Sequence, residues 1–118
     1  MNVSKLTGIA VPATLLLLLS ACAANVPKPS GELAATQAAV HAAEGAGARD
    51  AAPVLLNSAQ NKLSEAQDAI SNEDYAKAKT LLDDAQADAE LAEAKADTAK
   101  TQKAANELDK SSNSMQHQ

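Results

Sequence analysis

The sequence contains almost no aromatic side chains and only one cysteine. Its 118 residues include a single tyrosine, and neither tryptophan nor phenylalanine occurs. A core of large aromatic rings is therefore excluded, and so is a surface on which nucleic-acid bases stack. The lone cysteine excludes a disulfide within the chain. Glycine and proline are both absent after Pro53, which favours long uninterrupted helices in that part of the sequence.

Alanine supplies most of the apolar fraction of 46%. It has the highest helix propensity of all residues and loses no side-chain entropy on folding. The predicted fold class is therefore all-α, with helical backbones packed close together. The formal net charge is −5, and acidic and basic residues alternate along the chain, which indicates a solvated surface and disfavours nucleic-acid binding.

The first residues have the features of a signal peptide. Met1–Lys5 carries one cation, and Leu6–Leu19 is apolar and ends in five leucines. An apolar run of about 14 residues is shorter than the ~20 that a membrane-spanning helix needs. We therefore expect residues 1–21 to be removed from the mature protein.

The next four residues resemble the lipobox of bacterial lipoproteins. Leu19, Ser20 and Ala21 precede Cys22, and the resemblance implies cleavage before Cys22 and attachment of diacylglycerol and an N-acyl chain such as palmitate. Two or three acyl chains anchor a protein firmly, at ~0.8 kcal/mol per buried methylene. By resemblance to lipoprotein sorting in Gram-negative bacteria, Ala23 after the cysteine, rather than aspartate, implies the periplasmic face of the outer membrane. The alternative is an ordinary signal peptide with an incidental cysteine.

Three helices are predicted after a proline-containing tether at residues 22–30. The first runs from Ser30, as its N-cap, to about Glu44, and Gly45 and Gly47 end it. The second begins near Pro53, and the third follows a capping pattern at Ser71–Asp74 and ends near Asp109. The domain therefore spans residues 31–110, and a disordered tail is expected at 111–118.

Apolar residues at alternating spacings of three and four form a coiled-coil seam along the second and third helices. We expect it to contain Leu56, Leu63, Ile70, Tyr75, Leu82, Ala89, Ala92 and Ala96. The third helix is about twice as long as the second, so in an antiparallel three-helix arrangement it should lack a partner from about Glu93 onward. That half either frays or packs against another molecule.

The stretch from Ala52 to Ala94 resembles a bacterial family known only as a domain of unknown function. Its members occur as small lipoproteins or ahead of an OmpA-like domain. The matching residues are Ala52, Pro53, Leu56, Ala59, Lys62, Leu63, Ala66, Ala69, Ile70, Asp74, Tyr75, Ala78, Leu82, Ala85, Asp88, Ala89, Leu91 and Ala92. The hairpin is also similar in shape to a tetratricopeptide repeat. The resemblance implies no catalytic residue, and without the C-terminal lysine of Braun's lipoprotein we expect no covalent link to peptidoglycan.

No arrangement of residues predicts catalysis or metal binding. His41 and His117 are far apart in sequence, and the acidic pairs of the third helix are typical of a solvated face. Ser58, Ser64 and Ser71 have no histidine placed to activate them. We therefore expect neither an enzyme nor a cofactor other than the lipid on Cys22.

Two functions fit these patterns. The first is a lipid-anchored envelope protein with a structural or interaction role, which contacts a protein partner or further copies of itself through the third helix. The second is a periplasmic binding module whose hairpin groove, around Tyr75, Leu81 and Leu82, holds a peptide or a glycan strand.

Overall fold

The computed structural model describes residues 25–117, which form four helices and no strand. They are α1 (Ser30–Gly45), α2 (Ala48–Ala51), α3 (Pro53–Ser71) and α4 (Tyr75–Gln116). The predicted all-α class is confirmed, as is the long last helix. The four-residue α2 was not predicted. The segment 111–116, predicted as part of a disordered tail, is helical.

The observed helix ends show which capping predictions hold. Ser30 is the first helical residue of α1, and the N-cap is Pro29, so the predicted N-cap was wrong by one position. Pro53 opens α3 as predicted, where its missing N–H costs no hydrogen bond. At the third boundary Ser71 ends α3 and its hydroxyl donates to the Gln67 carbonyl, whereas the Asp74 side chain caps α4 by accepting from the Lys77 N–H at 3.2 Å.

A sharp turn makes α3 and α4 antiparallel. Glu73 adopts a left-handed conformation (φ 59°), which is uncommon for a residue with a side chain. Its N–H donates to the Ile70 carbonyl at 3.1 Å, and the Asp74 N–H donates to the Ala69 carbonyl at 2.9 Å. These bonds satisfy carbonyls that the end of α3 would otherwise leave unpaired.

Contacts between the helices show that α1 runs parallel to α4 and antiparallel to α3. Thr36 of α1 lies beside Leu82 of α4, and the C-terminal end of α1 packs against residues further along α4. The Thr36 hydroxyl is fully buried, 2.9 Å from the Glu32 carbonyl and 3.2 Å from the Leu82 carbonyl. Because the hydroxyl has backbone acceptors on both helices, its burial leaves no unsatisfied polar group.

The core consists mostly of alanine. Its main cluster brings α1, α2, α3 and α4 together through Val40, Ala43, Ala46, Ala48, Ala52, Leu56, Ala59, Ala89, Ala92 and Ala96. With methyl groups as the contacting side chains, the helices must lie close for the interior to reach ordinary packing density.

The helix α4 extends well beyond the other helices. Ala92 and Ala96 are buried against the corner made by the end of α1 and by α2. The prediction that α4 lacks a partner from Glu93 onward was therefore wrong by about one turn, because it did not include α2. Every residue from Asp97 to His117 is exposed. We call residues 97–116 the arm; it is about 30 Å long.

The alanine core predicts a strong dependence on side-chain volume. Ala92→Leu should lower the free energy of unfolding by about 1–3 kcal/mol, because a fully buried methyl position has no room for three more carbons. Urea denaturation followed by circular dichroism measures this change. The exposed Ala76→Leu is the matched control and should stay within about 0.5 kcal/mol of the parent. Equal effects of the two substitutions would contradict the close packing.

Candidate functional site

The predicted seam residues occupy two kinds of position. Leu56, Ala89, Ala92 and Ala96 lie together in the main core cluster, with Leu63 packed against it. Leu82 is buried outside that cluster, and Leu63, Ile70 and Tyr75 are half-buried. The seam therefore contributes to the interior of the fold. The predicted lipobox residues and lipidation site, Leu19, Ser20, Ala21 and Cys22, lie outside the described residues.

A polar clasp joins α3 to α4 along one edge of the core. The Asp88 carboxylate accepts hydrogen bonds from the Ser58 hydroxyl at 2.6 Å and from Lys62 Nζ at 2.7 Å. The bond from Lys62, followed by that from Ser58, holds the pKa of Asp88 below its ordinary value. The same bond raises the pKa of Lys62. All the partners of this carboxylate belong to its own fold, so the cluster serves to position helices.

A second carboxylate fastens the corner between α1 and α3. Glu44 Oε1 accepts from Arg49 Nη2 at 3.2 Å and from Gln60 Nε2 at 2.7 Å, and its other oxygen lies 3.5 Å from His41 Nδ1. The bond from Arg49 is the main reason that the pKa of Glu44 is lowered. Glu44 thus ties the end of α1 to α2 and to α3.

Of the three residues around which a groove is predicted, Tyr75, Leu81 and Leu82, one is buried within the fold. Leu82 is only 1% exposed, because α1 covers it beside Thr36. Tyr75 and Leu81 are half-buried. A nearby depression of about 190 Å³ has charged and polar walls, formed mainly by Glu65, Asp68, Ala69, Asn72, Asp74 and Lys77.

A second stripe, made of apolar and hydroxyl-bearing residues, runs along the outer face of α4. We call it the outer stripe; its members are Leu91, Ala94, Thr98, Thr101, Ala105, Leu108, Ser112 and Met115, all of them exposed. They follow one another at alternating spacings of three and four residues. Ala89, Ala92 and Ala96 occupy heptad positions on nearly the opposite side of the helix.

The exposed large apolar residues are concentrated on this stripe. Among residues 25–117 they are Val54, Leu91, Leu108 and Met115, and only Val54 lies elsewhere. Leu108 is 71% exposed and Met115 is 69% exposed. Single exposed apolar residues are ordinary, but three in one heptad register mark a surface that another helix could cover. The sequence contains this signal, but the alanine positions on the other side of α4 form the more regular pattern.

Two hydroxyl groups on the outer stripe are already hydrogen-bonded within α4. Thr98 Oγ1 donates to the Ala94 carbonyl at 2.8 Å, and Thr101 Oγ1 donates to the Asp97 carbonyl at 2.9 Å. A partner that covers these residues would bury no unsatisfied hydroxyl donor at either position.

A shallow groove borders the N-terminal part of the outer stripe. It has a volume of about 430 Å³ and is lined by Ala51, Leu91, Ala94, Lys95, Thr98, Ala99 and Gln102. The corner at α2 forms one wall and α4 forms the other. An apolar side chain from another helix could therefore seat beside Leu91 and Thr98.

Within residues 25–117, no group of three or more histidine, cysteine, aspartate or glutamate side chains is placed to hold a metal ion. None of the helices in this range combines the length and the apolar character required to cross a membrane. His41 is exposed on α1.

Comparison with known proteins gives one match. The model of a family described as a domain of unknown function (DUF4398) matches residues 31–108. No curated protein matches the chain. No solved structure matches it either.

The clasp predicts a defined dependence of stability on pH. The pKa of Asp88 is lower in the folded protein than in the unfolded chain, where it is about 3.9. The contribution of ionised Asp88 to the free energy of unfolding is therefore complete above the unfolded-state pKa. It is lost as the pH falls through the folded-state pKa. At the alkaline end, the raised pKa of Lys62 preserves the pair until the pH exceeds the folded-state value for lysine.

Asp88→Asn should therefore destabilise the protein near neutral pH, and this difference should shrink as the pH falls below about 4. Urea midpoints of the parent and the variant across a pH series measure the effect. Glu107→Gln is the control, since Glu107 is exposed on the same helix and belongs to no ion pair among the described residues. A difference between parent and Asp88→Asn that stays constant down to the lowest pH would show that the charge of Asp88 is not involved.

Proposed function

We propose a function for this chain, which belongs to the DUF4398 family of domains of unknown function: it is a lipid-anchored structural protein of the bacterial envelope. In this proposal Cys22 carries the lipid, and the mature protein faces the periplasm from the outer membrane. It acts through helix–helix contacts made by α4. The observation that carries the proposal is the outer stripe, together with the exposed arm on which most of it lies.

The position of the tether supports a defined orientation toward the membrane. Val26 is half-buried and Pro29 is buried, so the chain is held against the bundle just before α1. Only three peptide steps separate Cys22 from Asn25, a span of about 10 Å when extended. Since α1 is parallel to α4, a lipid on Cys22 lies near the end of the bundle that carries the α3–α4 turn. The arm projects from the opposite end.

The outer stripe supports association as the role of the arm. A partner helix would remove Leu91, Leu108 and Met115 from water, and each fully buried side chain of this size contributes about 1.5–3 kcal/mol. The heptad repeat drifts slowly around a straight helix, so a partner that covers the whole stripe must coil around α4 with a left-handed twist. Association of this kind needs only a helical partner with a matching stripe.

The lipid anchor is tested with the full-length chain in a bacterial host. The parent should incorporate a labelled fatty acid and sediment with the membranes, whereas Cys22→Ser should do neither, because serine offers no thiol for the diacylglyceryl group. Ala24→Ser, two residues away, is the control and should behave as the parent does. Equal labelling of the parent and Cys22→Ser would remove the anchor from the proposal.

The association surface is tested by mass in solution. The full-length chain, extracted in a mild detergent and diluted with that detergent to separate micelles, should sediment as a concentration-dependent oligomer. Leu108→Gln combined with Met115→Gln should give a monomer with unchanged helicity, because both side chains are exposed and glutamine is a good helix former.

The matched control for this experiment is Val54→Gln. Val54 is 79% exposed but lies on α3, away from the outer stripe. The Val54→Gln substitution should therefore leave the oligomer intact. A parent that is monomeric at every concentration, or an oligomer that tolerates both arm substitutions, would show that the outer stripe is not a site of self-association.

A further inference from the structure

We infer that the partner of the outer stripe is a second copy of this chain whose α4 lies antiparallel to the first. This inference rests on the proposed function and specifies its partner, direction and register. It follows from the order of side chains along the stripe, from two charged residues beside it, and from the groove near α2.

The outer stripe matches itself when one copy is reversed. With Leu91 placed opposite Met115 of the second copy, the next layers are Ala94 with Ser112, Thr98 with Leu108, and Thr101 with Ala105. The two-fold axis repeats each layer once, so eight layers span about 37 Å of helix. Every layer pairs the two alternating positions of the repeat, as antiparallel coiled-coil packing requires.

The reversed register distributes volume better than a parallel one. A parallel pair would place each residue opposite itself, so Ala94, Thr98, Thr101 and Ala105 would make four successive layers of small side chains. Such layers leave voids that cost stability. In the antiparallel register Leu108 fills the space opposite Thr98 and the large residues at the two ends meet each other, so at most two successive layers, both of Thr101 with Ala105, consist of small side chains.

Charge also favours the antiparallel direction. Lys95 and Asp109 flank the outer stripe on the same side, and the register brings Lys95 of each copy beside Asp109 of the other. Within the described residues neither of them belongs to an ion pair. A parallel pair would also place Lys95 near an acidic residue, Glu90, but it would leave Asp109 facing Ala104, so only the antiparallel direction pairs both charged residues.

The groove beside α2 provides a seat for the second copy. Leu91, Ala94 and Thr98 line it, and in this register they face Met115, Ser112 and Leu108 of the partner. The most exposed apolar side chains of one arm thus enter the depression that borders the other stripe. The hydroxyls of Thr98 and Thr101 keep their bonds within α4, so the contact buries their methyl groups without losing a hydrogen bond.

The register fixes the distance between the two membrane anchors. The α3–α4 turns lie at opposite ends of the pair, about 85 Å apart at ~1.5 Å per residue. With both lipids in one membrane, the pair must lie along its surface as a rod that is fastened at each end.

A charge exchange tests the pairing of Lys95 with Asp109. In the full-length, detergent-extracted chain, Lys95→Glu and Asp109→Lys should each weaken the dimer roughly 3- to 10-fold, since two exposed ion pairs become like-charge contacts. The double variant should return close to the parent. Both positions are exposed, so circular dichroism should show unchanged folding. A double variant no tighter than the single variants would overturn the pairing.

Disulfide formation between cysteines introduced at two small residues tests the antiparallel direction of the pair. Ala94→Cys and Ser112→Cys, carried on two differently tagged copies in one host, should form a mixed disulfide on mild oxidation, because the register places the two positions in one layer. Neither variant alone should link to itself, as its own two positions lie about 27 Å apart along the rod. The parent with Cys22 alone gives the background.

The outcomes separate this inference from the proposed function. Self-linked dimers of each single variant would show a parallel pair, which overturns the antiparallel register while leaving self-association intact. A dimer that gives neither a mixed disulfide nor a self-linked one would place the contact on another face. That result would also overturn the antiparallel register. A monomeric parent would refute both the inference and self-association.

Discussion

Close approach of helical backbones is the constraint on which this structure depends. A core made of methyl groups has little apolar area per residue, so it stabilises the fold only when the helices lie near enough for those groups to touch. Ala43, Ala59 and Ala89 are fully buried, and alanine makes up most of the core cluster to which they belong. The position of each helix is therefore determined more by backbone contact than by interlocking side chains.

Because the core consists mostly of methyl groups, polar hydrogen bonds at its edges help to set the alignment of the helices. Asp88 bonds to two residues of α3, one turn apart, and Glu44 bonds to both α2 and α3. An alanine surface is nearly smooth, so a shift by one turn would cost it little packing. It would, however, separate these carboxylates from their donors. The hydrogen bonds of Asp88 and Glu44 thus fix the alignment of the helices along one another, which larger core side chains would fix by their shape.

The sequence predicts well where the three long helices begin, but it predicts less well which of their residues are buried against other helices. Pro53 and the turn at residues 72–74 act through local backbone chemistry, and their consequences follow from the residues alone. The burial of Ala92 and Ala96 depends on α2, four residues that carry no apolar periodicity of their own. Such a corner forms because Gly47 takes a left-handed conformation (φ 88°) and turns the chain back against α4. The contact of α2 with α4 is tertiary, so it cannot be predicted from the periodicity of a single helix.

The two stripes of α4 place the buried alanine positions and the exposed large apolar side chains on opposite faces of one helix. Ala89, Ala92 and Ala96 face the bundle, and Leu91 and Ala94 face away from it on the same turns of helix. Every member of the outer stripe is exposed, so substitutions there leave the buried alanine positions unchanged. Past Ala99 the inner positions become polar, at Lys103, Asn106 and Lys110, while the outer stripe continues to Met115. The apolar surface of α4 thus passes from the side that faces its own bundle to the opposite face of the helix, which stays exposed among residues 25–117.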